Sequence, residues 1–312
     1  MTPLCSCRSG GSRELLPTSL LYEKLAAPAA PTGSSAIDID TKSSMTLSPH
    51  AQFVALHDTD VPLLLPNAWD AASARLWQEA GATAVATSSA AVAWALGHAD
   101  GGRLPREALL ESLRGILRVV SVPVSVDVED GYSDDPRAVA ELMRSIVSAD
   151  AVGVNLEDGG GAPTLLVDKI RAIREPDGAA PLFVNARTDV YLRGLANGDE
   201  AVAMTVERLT AYRDAGADGG FVPGLASTDD AAKIVAAVPG LAINVMAMPG
   251  LPSIDALMQA GVRRISAGPA LFRNAYGTAE ASVKAWLGGD FAPSFANALD
   301  YARLNALFER PE

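Results

Sequence analysis

Residues 122–159 read VPVSVDVEDGYSDDPRAVAELMRSIVSADAVGVNLEDG, and the rest of the architecture can be worked out from this stretch. Two short apolar runs, at 122–128 and 151–156, flank a segment whose apolar residues recur with the period of a helix. A continuous apolar run of this length is typical of a strand buried on both faces of a parallel sheet. The stretch therefore predicts a strand–helix–strand unit.

The same unit recurs along the chain from about residue 61 onward. Eight apolar, β-prone runs lie at residues 63–66, 83–87, 122–128, 151–156, 182–186, 219–222, 241–245 and 263–267. Most of the segments between them are amphipathic, and several begin at Asp, Ser or Pro and end at Gly, as helix boundaries do. Eight strand–helix repeats predict an α/β fold, a closed (β/α)₈ TIM-type barrel.

Three regions are predicted along the chain. Residues 1–45 are rich in Ser, Pro, Gly and Ala and have no sustained period, so we expect a disordered N-terminal extension. Residues 46–275 form the barrel. Residues 276–312 depart from the repeat and predict additional C-terminal helices with an apolar side. These helices either cap the barrel or contact a second subunit.

The composition excludes several classes of protein. Lys and Arg number 25 against 37 Asp and Glu, a formal net charge of −12, so we expect no nucleic acid partner and no anionic membrane surface as partner. No apolar run reaches the 18 or so residues that span a bilayer. The two cysteines, Cys5 and Cys7, precede the barrel, which therefore has no thiolate metal site and no cysteine nucleophile.

The carboxyl ends of the strands carry the candidate site, because the active sites of such barrels lie there. Three carboxylates are predicted to converge. Asp127 and Glu129 are two residues apart on an extended chain and share one face, and Glu157 ends the next strand. Carboxylates without a nearby histidine or cysteine favour a hard cation, most often Mg²⁺. Asp130 and Asp158 either join this cluster or cap the helices that follow.

Other strand ends carry residues suited to an anionic ligand. Arg187 ends an apolar run and is predicted to bind a carboxylate or a developing enolate oxygen, or else to pair with one of the acids. Ser88, Ser89 and Ala90 form a small-residue turn whose N–H groups can approach an anion closely. Asn244 is either a donor to a substrate carboxylate or a turn former.

Common catalytic motifs are missing from the sequence. It contains no HExxH, no GxxxxGK[ST], no GxGxxG after a strand and no GxSxG. This argues against a zinc protease, a P-loop enzyme, a dinucleotide oxidoreductase and a serine hydrolase.

Six segments, taken in order, resemble the isocitrate lyase and phosphoenolpyruvate mutase superfamily over about residues 63–272. They are PNAWDAASARLWQEAG (66–81), SSAAVAWALG (88–97), VDVEDGY (126–132), GVNLEDG (153–159), NARTDVY (185–191) and AGPAL (267–271). The resemblance implies a modified (β/α)₈ barrel, usually with a terminal helix exchanged between subunits. It also implies Mg²⁺-dependent chemistry on 2-oxo or 2-hydroxy carboxylic acids or on phosphonopyruvate.

The resemblance assigns expected roles to individual residues. Asp127 resembles the direct metal ligand, and Glu129 and Glu157 resemble the acids that hold the metal through water. Arg187 resembles the arginine that grips the substrate, and Asp100 resembles an acid of the second loop. These two are the candidate catalytic residues, and the base that retro-aldol cleavage requires is either Asp100 or water. The turn at residues 88–90 resembles the one that binds the substrate carboxylate, and Asn244 resembles a late substrate contact.

Two departures from the superfamily pattern bear on the reaction. Many members carry Asp where this chain has Glu129, a longer side chain that we expect to preserve a water-mediated metal contact. Isocitrate and methylisocitrate lyases carry a Lys-x-Cys segment after the fourth strand, whose cysteine protonates the departing fragment. The corresponding stretch here, GGGAPTLL (159–166), has neither residue. A lyase of the standard isocitrate type is therefore not expected, and the Lys and Asn of the mutase loop are not evident either.

The sequence thus predicts a Mg²⁺-dependent lyase or decarboxylase that breaks a carbon–carbon bond in a small 2-oxo or 2-hydroxy acid through an enolate. A phosphoenolpyruvate or phosphonopyruvate mutase or hydrolase is the second hypothesis. A non-catalytic binder of 2-oxo acids is the third. We expect a cytoplasmic homo-oligomer, a dimer or a tetramer, with a small carboxylic acid as substrate.

Overall fold

The computed structural model describes residues 47–175 and 181–309; the predicted N-terminal extension at residues 1–45 lies outside these residues. The strands of the described part are β1 Leu63–Leu65, β2 Asn67–Ala68, β3 Val85–Thr87, β4 Val124–Asp127, β5 Gly153–Glu157, β6 Phe183–Arg187, β7 Gly219–Phe221, β8 Ala242–Met246 and β9 Arg264–Ser266. The helices of the same part are α1 Pro49–Ala55, α2 Ala71–Glu79, α3 Ser89–Ala95, α4 Arg106–Leu117, α5 Pro136–Ser148, α6 Pro163–Arg174, α7 Gly198–Ala215, α8 Thr228–Ala237, α9 Ile254–Gln259, α10 Ala270–Leu287 and α11 Tyr301–Ala306.

The strands form one parallel sheet that closes into a barrel. The order is β1-β9-β8-β7-β6-β5-β4-β3-β2, so the strands at its two ends, β1 and β2, are consecutive in the chain. Pro66 separates them, and because it lacks an N–H group it interrupts the ladder. β1 pairs with β9 and β2 pairs with β3, so the two halves of one interrupted strand complete the barrel. The predicted (β/α)₈ architecture is confirmed.

All eight predicted runs contain strands, and the predicted helical segments contain helices. The sequence did not predict α1 or α3. Helix α3 has buried residues on every side, including Ser89, Ala91 and Val92, so it has no polar face to give the sequence a helical period.

The inside of the barrel is closed at its amino-terminal end by α1. Phe53 of this helix is fully buried and packs in a cluster with Leu63, Leu65 and Phe183 at the start of the strands. A larger apolar cluster lies between the outer faces of the strands and the surrounding helices. With this end filled, the carboxyl ends of the strands remain as the open face on which a ligand can be bound.

The C-terminal segment follows β9 as the long helix α10, a 3₁₀ turn at Ala292–Phe295 and the short helix α11. The boundary predicted between residues 275 and 276 falls inside α10, because this helix starts directly after the last strand. Leu287, Phe295 and Tyr301 are all exposed. In the described part of the chain, no helix combines the length and the hydrophobicity needed to cross a membrane.

Candidate functional site

Asp127 lies at the carboxyl end of β4 and is anchored to the neighbouring strand end. Its Oδ2 accepts hydrogen bonds from the Ser89 N–H at 3.1 Å and the Ser89 hydroxyl at 2.9 Å. Its own N–H donates to Thr87 Oγ1 at 2.9 Å. The side chain is buried, and no described residue donates to its Oδ1. Asp127 is therefore fixed in orientation with one oxygen left for a ligand.

The turn at Ser88, Ser89 and Ala90 is the first turn of α3. The Ser88 hydroxyl caps the helix by accepting from the Ala91 N–H at 3.5 Å. The Ser89 N–H already binds Asp127, whereas the N–H groups of Ser88 and Ala90 donate to no described residue. The structure thus brings the predicted anion-binding turn next to the predicted metal ligand.

Glu129 follows β4 in a turn with a left-handed backbone, at φ +51°. Its Oε2 accepts from the Gly102 N–H, which ties the end of β4 to the loop that carries Asp100. Its Oε1 is buried and has no partner among the described residues. Burial, with Asp100 and Asp127 nearby, raises the pKa of this carboxyl above its ordinary value. Asp100 and Asp127 therefore both lie near Glu129.

Glu157 and Arg187 are directly paired on adjacent strands. Arg187 Nη1 lies 2.6 Å from Glu157 Oε2, and the guanidinium also donates to both oxygens of Asp189, at 2.7 and 3.1 Å. Burial raises the pKa of Glu157 despite the arginine beside it. Arg187 therefore does pair with acids of the site, one of the two roles considered for it from the sequence. These contacts fix the guanidinium at the edge of the site.

Asp158 holds the loops around this pair. Its carboxylate accepts from the N–H groups of Gly160 and Asp189, from Arg208 at 2.8 Å and from the Tyr212 hydroxyl at 2.7 Å. Burial alone would raise the pKa of this carboxyl, but the four hydrogen bonds outweigh it and lower the pKa. The loop after β5, where the superfamily carries its Lys-x-Cys segment, is thereby pinned to α7.

The alternative role considered for Asp130 and Asp158, as helix N-caps, is wrong. The N-cap residues of α5 and α6 are Asp135 and Ala162. Asp130 instead accepts from the Tyr132 N–H at 2.9 Å within its own turn. Both acids stabilise the loops, because their short side chains accept hydrogen bonds from nearby backbone N–H groups instead of from the first turn of a helix.

Polar side chains continue into the interior of the barrel. Asn155 Oδ1 accepts from Asn185 at 2.9 Å and from Arg264 at 3.1 Å. Arg264 is fully buried, and burial lowers the pKa of its guanidinium to about 9. Asn244, the predicted late substrate contact, is fully buried; it accepts from Ser266 at 3.3 Å, and its Nδ2 has no partner among the described residues.

The donor set suits a hard cation held largely through water. No three acidic, histidine or cysteine side chains within residues 47–175 and 181–309 are placed to hold an ion by themselves. However, Asp127, Glu129 and Glu157 each keep one oxygen to which no described residue donates, and the Glu129 oxygen is buried. Mg²⁺ usually keeps several waters and takes one or two carboxylates directly, so these residues fit it.

Three residues of the site were not predicted as such from the sequence: Thr87, Asp189 and Tyr132. Tyr132 has a left-handed backbone and a buried hydroxyl with no described partner, and burial together with Glu129 raises its pKa. Asp189 could have been found, because it lies two residues after Arg187 in the same strand-end segment. Thr87 is the polar last residue of the predicted run at 83–87, but its contact with Asp127 depends on the pairing of two strands and does not follow from the sequence.

Comparison with known proteins adds an independent finding. The sequence model of a protein family described as phosphoenolpyruvate phosphomutase matches residues 53–287. The match spans every strand of the barrel and all of α10.

Three similar proteins illustrate the relationship. An uncharacterized protein of Mycobacterium tuberculosis is 37% identical over 259 residues, which cover 81% of this chain and 95% of that protein. The 2-methylisocitrate lyase of Escherichia coli is 31% identical over 185 residues, 55% of this chain and 60% of that enzyme. A crystal structure of a putative phosphonomutase from Burkholderia cenocepacia is 39% identical, with a TM-score of 0.72, and covers 76% of this chain and 100% of that one.

Proposed function

The chain belongs to the phosphoenolpyruvate phosphomutase family, within the phosphoenolpyruvate mutase and isocitrate lyase superfamily, and from this premise we propose a more specific activity. We propose that the protein is a Mg²⁺-dependent lyase or decarboxylase. Its substrate is a small 2-oxo or 2-hydroxy carboxylic acid, in which it breaks a carbon–carbon bond.

One observation carries this proposal. Arg187, held by Glu157 and Asp189, lies at the same end of the barrel as Asp127 and Glu129, and the acids keep free oxygens. A fixed cation beside a hard-metal donor set is what binding of a 2-oxo carboxylate requires. If the barrel bound no ligand, the grouping of Arg187 with these acids at one end of the barrel would be unexplained.

Asp127, Glu129 and Glu157 are the residues that would hold the metal. Bound Mg²⁺ would supply Lewis-acid polarisation of the substrate oxygens. Around it, Arg187 binds the substrate carboxylate or the oxygen on which negative charge develops. Ser89 keeps Asp127 in place, and the Ala90 N–H is a further donor for an anion.

The loop after β5 favours decarboxylation over cleavage of the isocitrate type. It runs only from Asp158 to Ala162 before α6 begins, and Asp158 holds it. It carries no lysine or cysteine to protonate a departing fragment. When an oxaloacetate-like acid loses CO₂, the electron pair of the broken bond enters the enolate, and water supplies the proton to carbon. No added nucleophile is needed.

Carbon–phosphorus chemistry is the second candidate function. It is favoured by the 39% identity to the putative phosphonomutase from Burkholderia cenocepacia. Mutase or hydrolase activity on phosphonopyruvate uses the same carboxylate and oxygen contacts at the 2-oxo end. The two reactions differ in which bond of the bound acid breaks.

A turnover screen tests the proposal. Oxaloacetate, substituted malates and phosphonopyruvate are supplied with Mg²⁺, and the released 2-oxo acid, CO₂ and phosphate are measured together with any phosphoenolpyruvate formed by rearrangement of phosphonopyruvate. We expect turnover that EDTA abolishes and that Asp127→Ala and Arg187→Ala each reduce by about 100-fold or more. Arg213→Ala, which removes an arginine paired with Asp214 on the surface of α7, is the matched control and keeps full activity.

The outcome separates the three hypotheses. Release of CO₂ or of a carbon fragment supports the proposal, whereas exclusive attack on phosphonopyruvate replaces it with the second candidate. If 2-oxo acids bind in the presence of Mg²⁺ but none is converted, the protein is a binder and the enzymatic proposal is wrong.

A further inference from the structure

Lys169 is a buried cation that the proposed chemistry leaves unexplained. It lies on α6, on the outer side of the barrel, and only 2% of its surface is exposed. It forms no ion pair with any residue that the structure describes. Burying an ammonium group without a counter-ion is costly, so a specific contact must hold it there.

That contact is a backbone carbonyl of the site. Lys169 Nζ donates to the Asp130 carbonyl oxygen at 2.7 Å. A hydrogen bond from a charged donor is about twice as strong as a neutral one. Lys169 therefore fixes the backbone in the middle of the turn that follows β4.

This turn has an unusual backbone. Three of its residues have positive φ angles: Glu129 at +51°, Gly131 at +90° and Tyr132 at +58°. For residues other than glycine this conformation persists only where surrounding contacts enforce it. At Gly131, a Cβ atom would lie 2.8 Å from a methyl group of Val139, so the turn is also closely packed against α5.

The turn presents two polar side chains to the site. The Glu129 Oε1 and the Tyr132 hydroxyl are both buried, their side chains adjoin each other, and neither atom has a hydrogen-bond partner elsewhere among the described residues. Glu129 directly precedes Asp130 in the chain. The Glu129 carbonyl accepts a hydrogen bond from the Glu157 N–H at 2.9 Å. A displacement of Asp130 would therefore move Glu129 relative to Glu157 and release its contact with Gly102.

We propose that Lys169 is a positioning residue that, through the Asp130 carbonyl, holds the left-handed turn in the form in which Glu129 would bind the metal. The metal part of this inference rests on the proposed function. The positioning part does not, because the contact between Glu129 and Gly102 is made by the protein alone.

The test compares Lys169→Met, Lys169→Gln and Lys169→Arg with the wild-type protein. The Lys169→Met substitution keeps an unbranched side chain as far as the Cε position and removes the donor. Lys169→Gln keeps an uncharged donor that is shorter by one bond, and it carries the test if the Met variant does not fold. Lys233→Met, which removes an exposed lysine paired with Asp199, is the control.

The first readout is amide hydrogen exchange without metal. We expect the Met or Gln variant to exchange at least tenfold faster than wild type in peptides covering residues 99–104 and 128–133, with unchanged exchange in α8. The second readout is Mg²⁺ affinity by calorimetry, which we expect to fall at least tenfold and to recover to within about threefold of wild type in Lys169→Arg.

The inference is overturned if a folded Met or Gln variant shows wild-type exchange in these two peptides. It is also overturned if the variant melts at a lower temperature but binds Mg²⁺ as the wild type does, since the role would then be structural only. If the wild type binds no Mg²⁺, the proposed function fails, and the exchange data still decide whether Lys169 holds the turn.

Discussion

His57 shows how a single buried residue gives the fold a dependence on pH. Its Nδ1 donates to the Phe53 carbonyl at 2.8 Å, and its ring stacks on Phe183 with centroids 4.3 Å apart. Burial, assisted by the positive charge of Arg264, lowers the pKa of His57 to about 4. The imidazole therefore stays neutral in the folded protein at pH values where it is protonated in the unfolded chain.

This difference predicts a loss of stability in acid. Between pH 6.5, the ordinary pKa of histidine, and about pH 4, the unfolded chain binds a proton that the folded protein does not. The contribution of His57 to the free energy of unfolding should fall by about 3 kcal/mol as the pH drops through this window. Urea denaturation at a series of pH values would measure it.

A variant isolates the effect of this histidine. His57→Phe should lower the slope of the free energy of unfolding against pH, between about pH 4 and pH 6.5, by the equivalent of about one proton. Equal slopes in wild type and His57→Phe would show that the acid sensitivity originates elsewhere.

A second residue-scale prediction concerns Asp158. Asp158→Asn replaces an acceptor of four hydrogen bonds and leaves Arg208 buried without its counter-ion. We expect the free energy of unfolding to decrease by about 3 kcal/mol. Chemical denaturation measures this value, and Asp214→Asn, at an exposed ion pair on the same helix, should change it little. A loss no larger than in the control would mean that the loops hold without this carboxylate.

At the scale of the elements, β7 depends on having no side chain at Gly219. A Cβ atom there would lie 2.6 Å from Asn185 Oδ1 and 3.2 Å from the Ala242 carbonyl oxygen. Gly219→Ala should therefore destabilise the protein by about 2 kcal/mol through overpacking.

The matched control lies on a helix. Nothing lies within 4 Å of a Cβ atom at Gly115 in α4, so Gly115→Ala should stabilise the protein by about 0.8 kcal/mol. Thermal unfolding of both variants checks the pair. The same sign of change in the two variants would contradict the packing argument.

Most strands could be predicted from the sequence, whereas one strand break and one helix could not. The strands were predictable because a strand buried on both faces has an uninterrupted apolar sequence. The polar residues at the carboxyl ends of these strands indicated Asp127, Glu157 and Arg187 as site residues. The split of the first strand was not predicted, although Pro66 lies at the break. Helix α3 was missed because burial on all sides removes the amphipathic period.

Residues that act across the fold could not be predicted from local patterns. Lys169 looks like an ordinary polar position on an amphipathic helix, and its partner lies 39 residues away. Arg264 lies in a predicted strand, but the sequence does not show that its side chain is fully buried inside the barrel. Their roles follow from tertiary contacts, which a single sequence does not contain.

At the scale of the whole molecule, the C-terminal helices leave apolar side chains uncovered. Leu287 is 81% exposed and Tyr301 is 85% exposed, and Phe295 lies between them in the sequence. Monomeric proteins rarely expose a cluster of this kind. We propose that these helices join copies of the chain into a dimer or a tetramer.

Light scattering after gel filtration tests the assembly. We expect the mass of a dimer or tetramer for the wild type and a smaller mass for Leu287→Glu. Leu165→Glu, which changes a partly exposed leucine on α6, should keep the wild-type mass. A wild-type protein with the mass of one chain would rule out the proposed assembly.

The interruption of the first strand at Pro66 has a consequence for folding during synthesis on the ribosome. β1 cannot pair until β9 has been synthesised. The Asn67 side chain accepts a hydrogen bond from the Gly268 N–H, which lies 201 residues later in the chain. Contacts so distant in sequence delay folding. The nascent chain can assemble consecutive strand–helix units as they emerge, but it cannot seal the ring until the last strand has left the exit tunnel. Premature termination before β9 should therefore yield an open, aggregation-prone sheet rather than a smaller working barrel.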